Sequence, residues 1–436
     1  MRAHATDIDR AAAGGVSVAR VRSVRAALPL CLLAALAPRV GLAKGPPLAP
    51  LFVIVVADGL RADRLGCYGY AGHSSPTLDR LCASGVVFTH AYAQSSWSPA
   101  SIASLLTARL PSEHGLRSGT DTLAADRKTF LGPLKTAGYT RVAYAADVDR
   151  GRGLDRDFED FHWVPSLTTP LPAGTPPVYA TPPIVVWLEQ HRWQLRWDKL
   201  LVYFRYNGTE PAHVAPADYL RRFAPAPLDL ARWTDLGSRL NMVVPRLDAG
   251  DLPDLATAYD ASVAEFDTGM QAIAEVLRDP DVVQRLWLVL LAPFGDGLGE
   301  HGVIGHGATL YEQQIHVPLV IVPPPGHAAG RRYEGLVELV DVGPTILDLA
   351  GLPPEPDVRG RSLRPILEGT ALSEREAVTE LAPPEPLRRH LRAVVRPGLR
   401  KRIDRPDGTY EEYDLGSDPG ETRDLARPAP TGAGGS

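Results

Sequence analysis

At 436 residues, with 44% hydrophobic and 22% charged side chains, the chain has ordinary globular composition and enough apolar material for a large core. Its formal net charge of −5 gives no reason to expect a nucleic acid or an anionic membrane surface as partner. Proline (41) and glycine (40) are abundant, so long proline-bearing loops between core elements are expected.

In chain order, the first stretch reads as a targeting segment over residues 1–44. Arg20, Arg22 and Arg25 precede an apolar run over 26–37, and Gly41-Leu42-Ala43 offers small residues at the −3 and −1 positions of a cleavage site. Export to a periplasmic or extracellular space follows, with an uncleaved leader acting as a membrane anchor as the alternative. The run is well short of the ~20 apolar residues that span a bilayer, so no membrane span beyond such an anchor is expected. Asp7 and Asp9 are unusual ahead of a signal and point to a start further downstream. Cys31 would leave with the leader. Cys67 and Cys82 remain and can pair, although two cysteines make no disulfide framework.

LFVIVV (51–56) is a continuous apolar, β-branched run ending at Asp58-Gly59, which suits a strand buried on both faces of a parallel sheet. Similar runs recur at 141–146, 200–204, 286–291 and 317–322. Between the first two lies SSWSPASIASLLTARLPSEHG (95–115). Ser98 directly before Pro99 is a helix start, since the hydroxyl can cap free N–H groups and proline loses nothing there. A helix N-terminus also suits an anion such as sulfate or phosphate. Tyr259, Val263, Phe266, Met270, Ile273 and Leu277 mark a further helix by their three- and four-residue spacing. Strands alternating with helices predict an α/β sandwich with a mostly parallel sheet, in which ligands bind beyond the carboxyl ends of the strands. Asp58 and the stretch after Leu291 lie at such ends. Residues 166–183 read as an irregular loop and 207–256 as a long surface insertion. Two strand-like halves around Asp407-Gly408 predict a hairpin in a small C-terminal antiparallel piece. The domain reading is therefore an α/β domain over 45–375, a small subdomain over 376–427 and a disordered tail over 428–436.

These stretches together resemble the sulfatase family of the alkaline-phosphatase superfamily. The residues that carry the resemblance are ADGLRADRLGCYGY (57–70), PTLDRLCASGVVFTHAYAQSSW (76–97), SLLTARLPSEHG (104–115), LKTAGYTRVAYA (134–145), YDASVAEFDTGM (259–270) and GLGEHGVIGHGATLYEQQIHVPLVIVPP (297–324). ELVDVGPTILDLAGLP (338–353), RGRSLRPILEG (359–369) and YEEYDLGSDPGETRDLA (410–426) complete it in family order, from about residue 51 to 427. The resemblance implies a mostly parallel sheet sandwiched by helices, with a small C-terminal antiparallel sheet plus helix. It also implies hydrolysis of sulfate esters or, in some branches, phosphate or phosphonate esters. A divalent cation polarises the ester, and a nucleophile at a helix tip, often a formylglycine made from Cys or Ser, attacks it. Metal, cationic side chains and a helix N-terminus are the groups that stabilise so oxygen-rich a transition state. Hard oxygen ligands suit Ca2+ or a similar ion. The partner implied is a small anionic ester or a sulfated glycan.

Residue by residue, Asp58 falls on the family's first metal-binding aspartate, with Gly59 where many members have a second. Ser98 falls on the nucleophile if Thr107 is the threonine that closes the motif. The motif arginine, which orients the nucleophile and belongs to the signal read by formylglycine-forming enzymes, is Ile102. After the 286–291 strand the family's Asp and its neighbour, both metal ligands, are Pro293 and Phe294 in the register that GLGEHG sets. Arg205 stands where the family has a histidine, and His213 is a displaced counterpart of a second. Proline and phenylalanine cannot ligate a hard cation, so impaired or lost catalysis is expected. The alternative is an active ester hydrolase with Ser98 as nucleophile and a rearranged metal site of Asp58 with Asp296 or Glu300. His213, His301 or His306 would then move protons. Plainer readings stand beside these: Asp58 as a turn aspartate, Ser98 as an N-cap, and His301 and His306 bonded to loop backbone.

Overall fold

The structure is a computed structural model that describes residues 48–146, 151–164, 183–210, 215–224, 227–240, 247–327, 329–382 and 390–427. The leader, all but the last residue of the 166–183 loop, His213 and the tail lie outside the described residues.

The strands are β1 Leu51–Ala57, β2 Val86–Tyr92, β3 Thr140–Ala146, β4 Asp160–Val164, β5 Leu200–Tyr206 and β6 Leu286–Leu291. They continue with the short β7 Gly297–Leu298, β8 Ile304–Gly305 and β9 His316–Val317, then β10 Leu319–Val322, β11 Arg331–Glu338, β12 Ala377–Leu381, β13 Leu391–Arg396, β14 Arg400–Asp404 and β15 Tyr410–Asp414. The main sheet runs β11-β2-β10-β6-β1-β5-β3-β4, with β9 paired to β2. The β1–β5, β1–β6, β3–β5, β3–β4 and β2–β11 pairs are parallel; β10 runs antiparallel to β2 and β6. All seven residues of β1 are buried, as expected for a central strand covered on both faces. Each large apolar side chain so buried contributes about 1.5–3 kcal/mol. The apolar run at 317–322 is split into β9 and β10 by Pro318, which has no N–H for a ladder.

Helices cover the sheet. α1 (Pro76–Ser84) starts at a proline, and Asp267 of the helix Leu252–Leu277 accepts from the Thr77 and Leu78 N–H groups at 2.8 Å each. The free N-terminal donors of α1 are thus satisfied by another element rather than by a local cap. A Cys67–Cys82 disulfide ties α1 to the loop that follows β1. All ten residues of α2 (Ser98–Thr107) are buried, Ile102 included.

The C-terminal sheet has the order β12-β13-β14-β15, and the hairpin expected at Asp407-Gly408 joins β14 to β15. Gly408, at φ 81°, provides the left-handed turn residue. The described residues of 376–427 hold strands and turns, and the nearest helix, Arg364–Leu367, precedes them. Tyr92, Leu310 and Ile315 pack into the apolar cluster of this sheet with Ala393, Val395 and Tyr413. Lys401, fully buried, donates to Glu312 at 2.9 Å and sits 2.7 Å from Glu421, so its charge is matched where water cannot reach it.

The stretch 207–256 is not wholly a surface insertion. Asn207 and Thr209 are buried directly after β5, and helices form at Ala217–Phe223 and Leu230–Leu240. Its first residues continue a core strand, so their backbone is held inside.

Candidate functional site

β5, β1 and β6 lie side by side and parallel, so their carboxyl ends open on one edge of the sheet. Val56 faces Arg205 on one side and Leu291 on the other. The chain beyond β1 stays paired for one more step, because Asp58 N donates to Tyr206 O at 2.8 Å and Gly59 forms a parallel bridge with Gly295. Tyr259 from the long helix secures this loop: its hydroxyl donates to Gly59 O at 2.7 Å and accepts from Arg61 N at 2.8 Å.

Asp58 is fully buried and held by Arg205. The guanidinium Nε donates to Asp58 Oδ1 at 2.9 Å and to Oδ2 at 2.8 Å, and Nη2 lies 2.5 Å from Oδ2. Nη2 also donates to Ser98 Oγ at 2.5 Å. A guanidinium has only donors, so both Asp58 carboxyl oxygens are acceptors here. Burial pushes the Asp58 carboxyl up from its ordinary range, and the Arg205 charge and hydrogen bonds pull it back.

Ser98 is the first residue of α2 rather than its cap. Trp97 holds the cap position, no side chain caps the helix, and the Ser98 hydroxyl is turned to Arg205. The capping expected of this hydroxyl is therefore not made. Ser98 and Asp58 share one guanidinium, which joins the two ends of the candidate site.

Asp296 is also fully buried. Its Oδ1 lies 2.8 Å from His306 Nδ1, and its Oδ2 has no hydrogen-bond partner among the described residues. A Cβ added at Gly59, whose φ is 74°, would lie 2.2 Å from that Oδ2. The carboxylate of Asp296 thus fills the space a side chain at 59 would need. Burial opposes a charge on His306, but the Asp296 charge and hydrogen bond outweigh it, with Glu210 and Asp58 adding to them, and raise the ring to about 9. The Phe294 ring packs on His306 with centroids 4.0 Å apart. Glu210, partly buried, completes the group. Burial pushes its carboxyl up to about 8 against the pull of His306, and the charges of Asp58 and Asp296 reinforce the rise.

Of the residues read from sequence, Asp58, Ser98, Asp296 and His306 come together, and His213 lies outside the described residues. Glu300 and His301 go elsewhere. Glu300 accepts from Arg61 at 2.8 Å and from Leu298 N at 2.7 Å, while His301 bonds Gly420 O at 3.1 Å and stacks on Tyr311. The loop-backbone bond expected of both histidines is thus made by His301, whereas His306 turns to a carboxylate. Sequence reading missed Glu210 and missed the Arg205–Asp58 pairing. The signal for the pair was present: two buried strands, adjacent and parallel, end in opposite charges at neighbouring positions.

The fold and this edge define an α/β protein with a buried, mixed-charge site at the carboxyl ends of a parallel sheet, built around a helix tip. Comparison with known proteins agrees. The family profile Sulfatase matches residues 50–352, and the profile N-sulphoglucosamine sulphohydrolase, C-terminal, matches 299–429. Human arylsulfatase K is 30% identical over 191 residues, which cover 42% of this chain and 35% of that protein; the chain thus matches about a third of the length of that relative. Human arylsulfatase A is 27% identical over 399 residues, covering 80% of this chain and 73% of that protein. The crystal structure of the phosphonate monoester hydrolase of Agrobacterium radiobacter superposes with a TM-score of 0.71 at 20% identity, covering 86% of this chain and 91% of that one. The chain belongs to the sulfatase family.

Sulfatases generally use a divalent metal ion. The residues here do not fit one. Both oxygens of Asp58 are taken by Arg205, Pro293 and Phe294 are buried and apolar, and Glu300 is bonded to Arg61. Among the described residues no group of three or more His, Cys, Asp or Glu is placed to hold a metal ion. What the arrangement offers instead is a fixed guanidinium donor, Arg205, on the Ser98 hydroxyl, with His306 held by Asp296 on the same edge.

Proposed function

We propose that this is an exported sulfatase-family protein that takes a small anionic ester, a sulfated sugar or a phosphate monoester, and has lost the family's metal-dependent hydrolysis. The observation that carries the reading is the buried, apolar Pro293–Phe294 pair where the resemblance places metal ligands, with the Phe294 ring packed against His306. Ile102 supports it, since it packs in the core where the motif arginine would orient the nucleophile. The Cys67–Cys82 disulfide supports export, because such bonds persist in oxidising compartments. No helix among the described residues is long and apolar enough to cross a membrane.

A second reading has one observation in its favour. Ser98 sits against a cation that stabilises an alkoxide, and His306, held by Asp296 at 2.8 Å, is placed to hand a proton on, which are the parts of a metal-free Ser98 hydrolase. The test is turnover of 4-nitrophenyl sulfate, 4-nitrophenyl phosphate and a phenylphosphonate ester, with Ca2+ or with EDTA. The expected result is background hydrolysis under both conditions, unchanged in Ser98→Ala. Ca2+-dependent turnover with kcat/KM in the ordinary range of about 10⁴–10⁸ M⁻¹s⁻¹ overturns the proposal. Turnover in EDTA that Ser98→Ala abolishes establishes the second reading.

A further inference from the structure

Buried carboxylates need a countercharge, and a family built around a cation has two ways to supply one. Here Asp58, Asp296 and Glu210 converge on a single edge of the sheet, with Asp58 and Asp296 fully buried. The group that touches both the strand-end aspartate and the helix-tip hydroxyl is a guanidinium, through Nε and Nη2. Its side chain is 1% exposed, which rules out a casual surface ion pair. It reaches this position because β5 lies directly beside β1, in the register that sets Arg205 against Val56, two residues before Asp58.

Resting on the non-metal reading of the site above, we propose that Arg205 is the resident cation of this protein: its guanidinium bonds both Asp58 and the Ser98 hydroxyl and excludes a divalent ion from them. Two independent features of the geometry support the assignment. First, Asp296 reaches the same edge from the β6 side, and its Oδ2 fills the side-chain space left by Gly59. The edge has therefore kept a second acidic oxygen, delivered from a different strand. Second, that Oδ2 is fully buried and has no hydrogen-bond partner among the described residues, so it remains on this edge as an acidic oxygen when Arg205 is replaced. Charge balance explains why the position stays closed to metal. Both carboxylate oxygens of Asp58 are already bonded to a fixed, buried positive charge, so a divalent ion would have to enter beside Arg205 in a region that water does not reach.

The assignment has a consequence that a merely structural ion pair lacks. Removing the guanidinium frees both carboxylate oxygens of Asp58 on the edge that Asp296 Oδ2 also reaches, which is expected to favour a divalent cation there. The test is calorimetric titration of full-length protein, first stripped with EDTA, with CaCl2. Wild type is expected to give no binding heat at the site. Arg205→Met is expected to bind a single Ca2+ at least about a hundredfold more tightly than wild type, because one buried positive charge has gone. Asp58→Asn/Arg205→Met is expected to lose that binding. Arg205→Met that is folded in EDTA and silent to CaCl2 overturns the proposal, and so does wild-type binding of Ca2+ that Asp58→Asn abolishes. If Arg205→Met does not fold in EDTA, refolding from urea with and without CaCl2 decides. Recovery only with Ca2+ supports the proposal; failure in both conditions, while the double variant folds, overturns it. Ester turnover by wild type in EDTA would overturn the loss of hydrolysis proposed above and still support Arg205 as the cation, so the two readings fail separately.

Discussion

The Asp58–Arg205 pair gives the sharpest stability prediction. Both side chains are essentially sealed from water, and both carboxylate oxygens of Asp58 are bonded to the guanidinium. Arg205→Met leaves Asp58 buried without a countercharge, which costs about 3–5 kcal/mol. Asp58→Asn leaves the Arg205 charge uncompensated in the same place, at a similar cost of about 3–5 kcal/mol. The double variant removes both charges and leaves a buried amide and the Ser98 hydroxyl short of partners, about 1–3 kcal/mol. The singles therefore sum to roughly 6–10 kcal/mol while the double costs far less, a coupling of at least about 3 kcal/mol. Urea unfolding followed by circular dichroism, in EDTA so that no ion substitutes for the guanidinium, reads the three midpoints. A double variant as unstable as the sum of the singles would refute the claim that the two charges exist for each other.

Two further outcomes are expected. His306 is raised from an ordinary 6.5 to about 9, so its contribution is complete below pH 6.5 and is lost as pH rises through 9, about 3 kcal/mol at most. Glu210, raised from 4.5 to about 8, acts in the same direction from pH 4.5 upward. Unfolding midpoints should fall between pH 6.5 and 9, and His306→Gln, which keeps an amide donor for Asp296, should flatten that slope; an unchanged slope would remove His306 from the account. Gly59→Ala combines a left-handed φ of 74°, costing about 1–2 kcal/mol, with a Cβ 2.2 Å from Asp296 Oδ2. The variant should lose about 2–4 kcal/mol in total, part of it recovered when Asp296→Ala is added. Equal losses in both backgrounds, measured by thermal unfolding, would show that Asp296 does not fill that space.

Much of the architecture was legible from the chain alone, because a strand buried on both faces must be apolar throughout, as β1 and β6 are and β5 is as far as Phe204, and a helix on a core must repeat its apolar face, as Tyr259 to Leu277 do. The hairpin at Asp407-Gly408 was legible for an equally local reason, the need for a left-handed turn residue. β2 and β11 were not read as separate strands. In RRYEGLVE the outer end is exposed at the sheet edge, so its pattern is polar there and apolar only toward Glu338. At the site, sequence pointed to Asp58, Ser98, Asp296 and His306 one at a time, and to the foreign residues Pro293, Phe294 and Ile102. The grouping was beyond it. That Arg205 bonds Asp58, that Asp296 fills the room of a missing side chain at Gly59, and that Glu210 closes the group depend on which strands adjoin and in what register. The sequence by itself determined the family, the core strands and the loss of ordinary ligands, because these depend on residue type and local period. Only the tertiary structure decided what replaced those ligands, because the countercharge for Asp58 is recruited across the sheet from Arg205, 147 positions away in the chain.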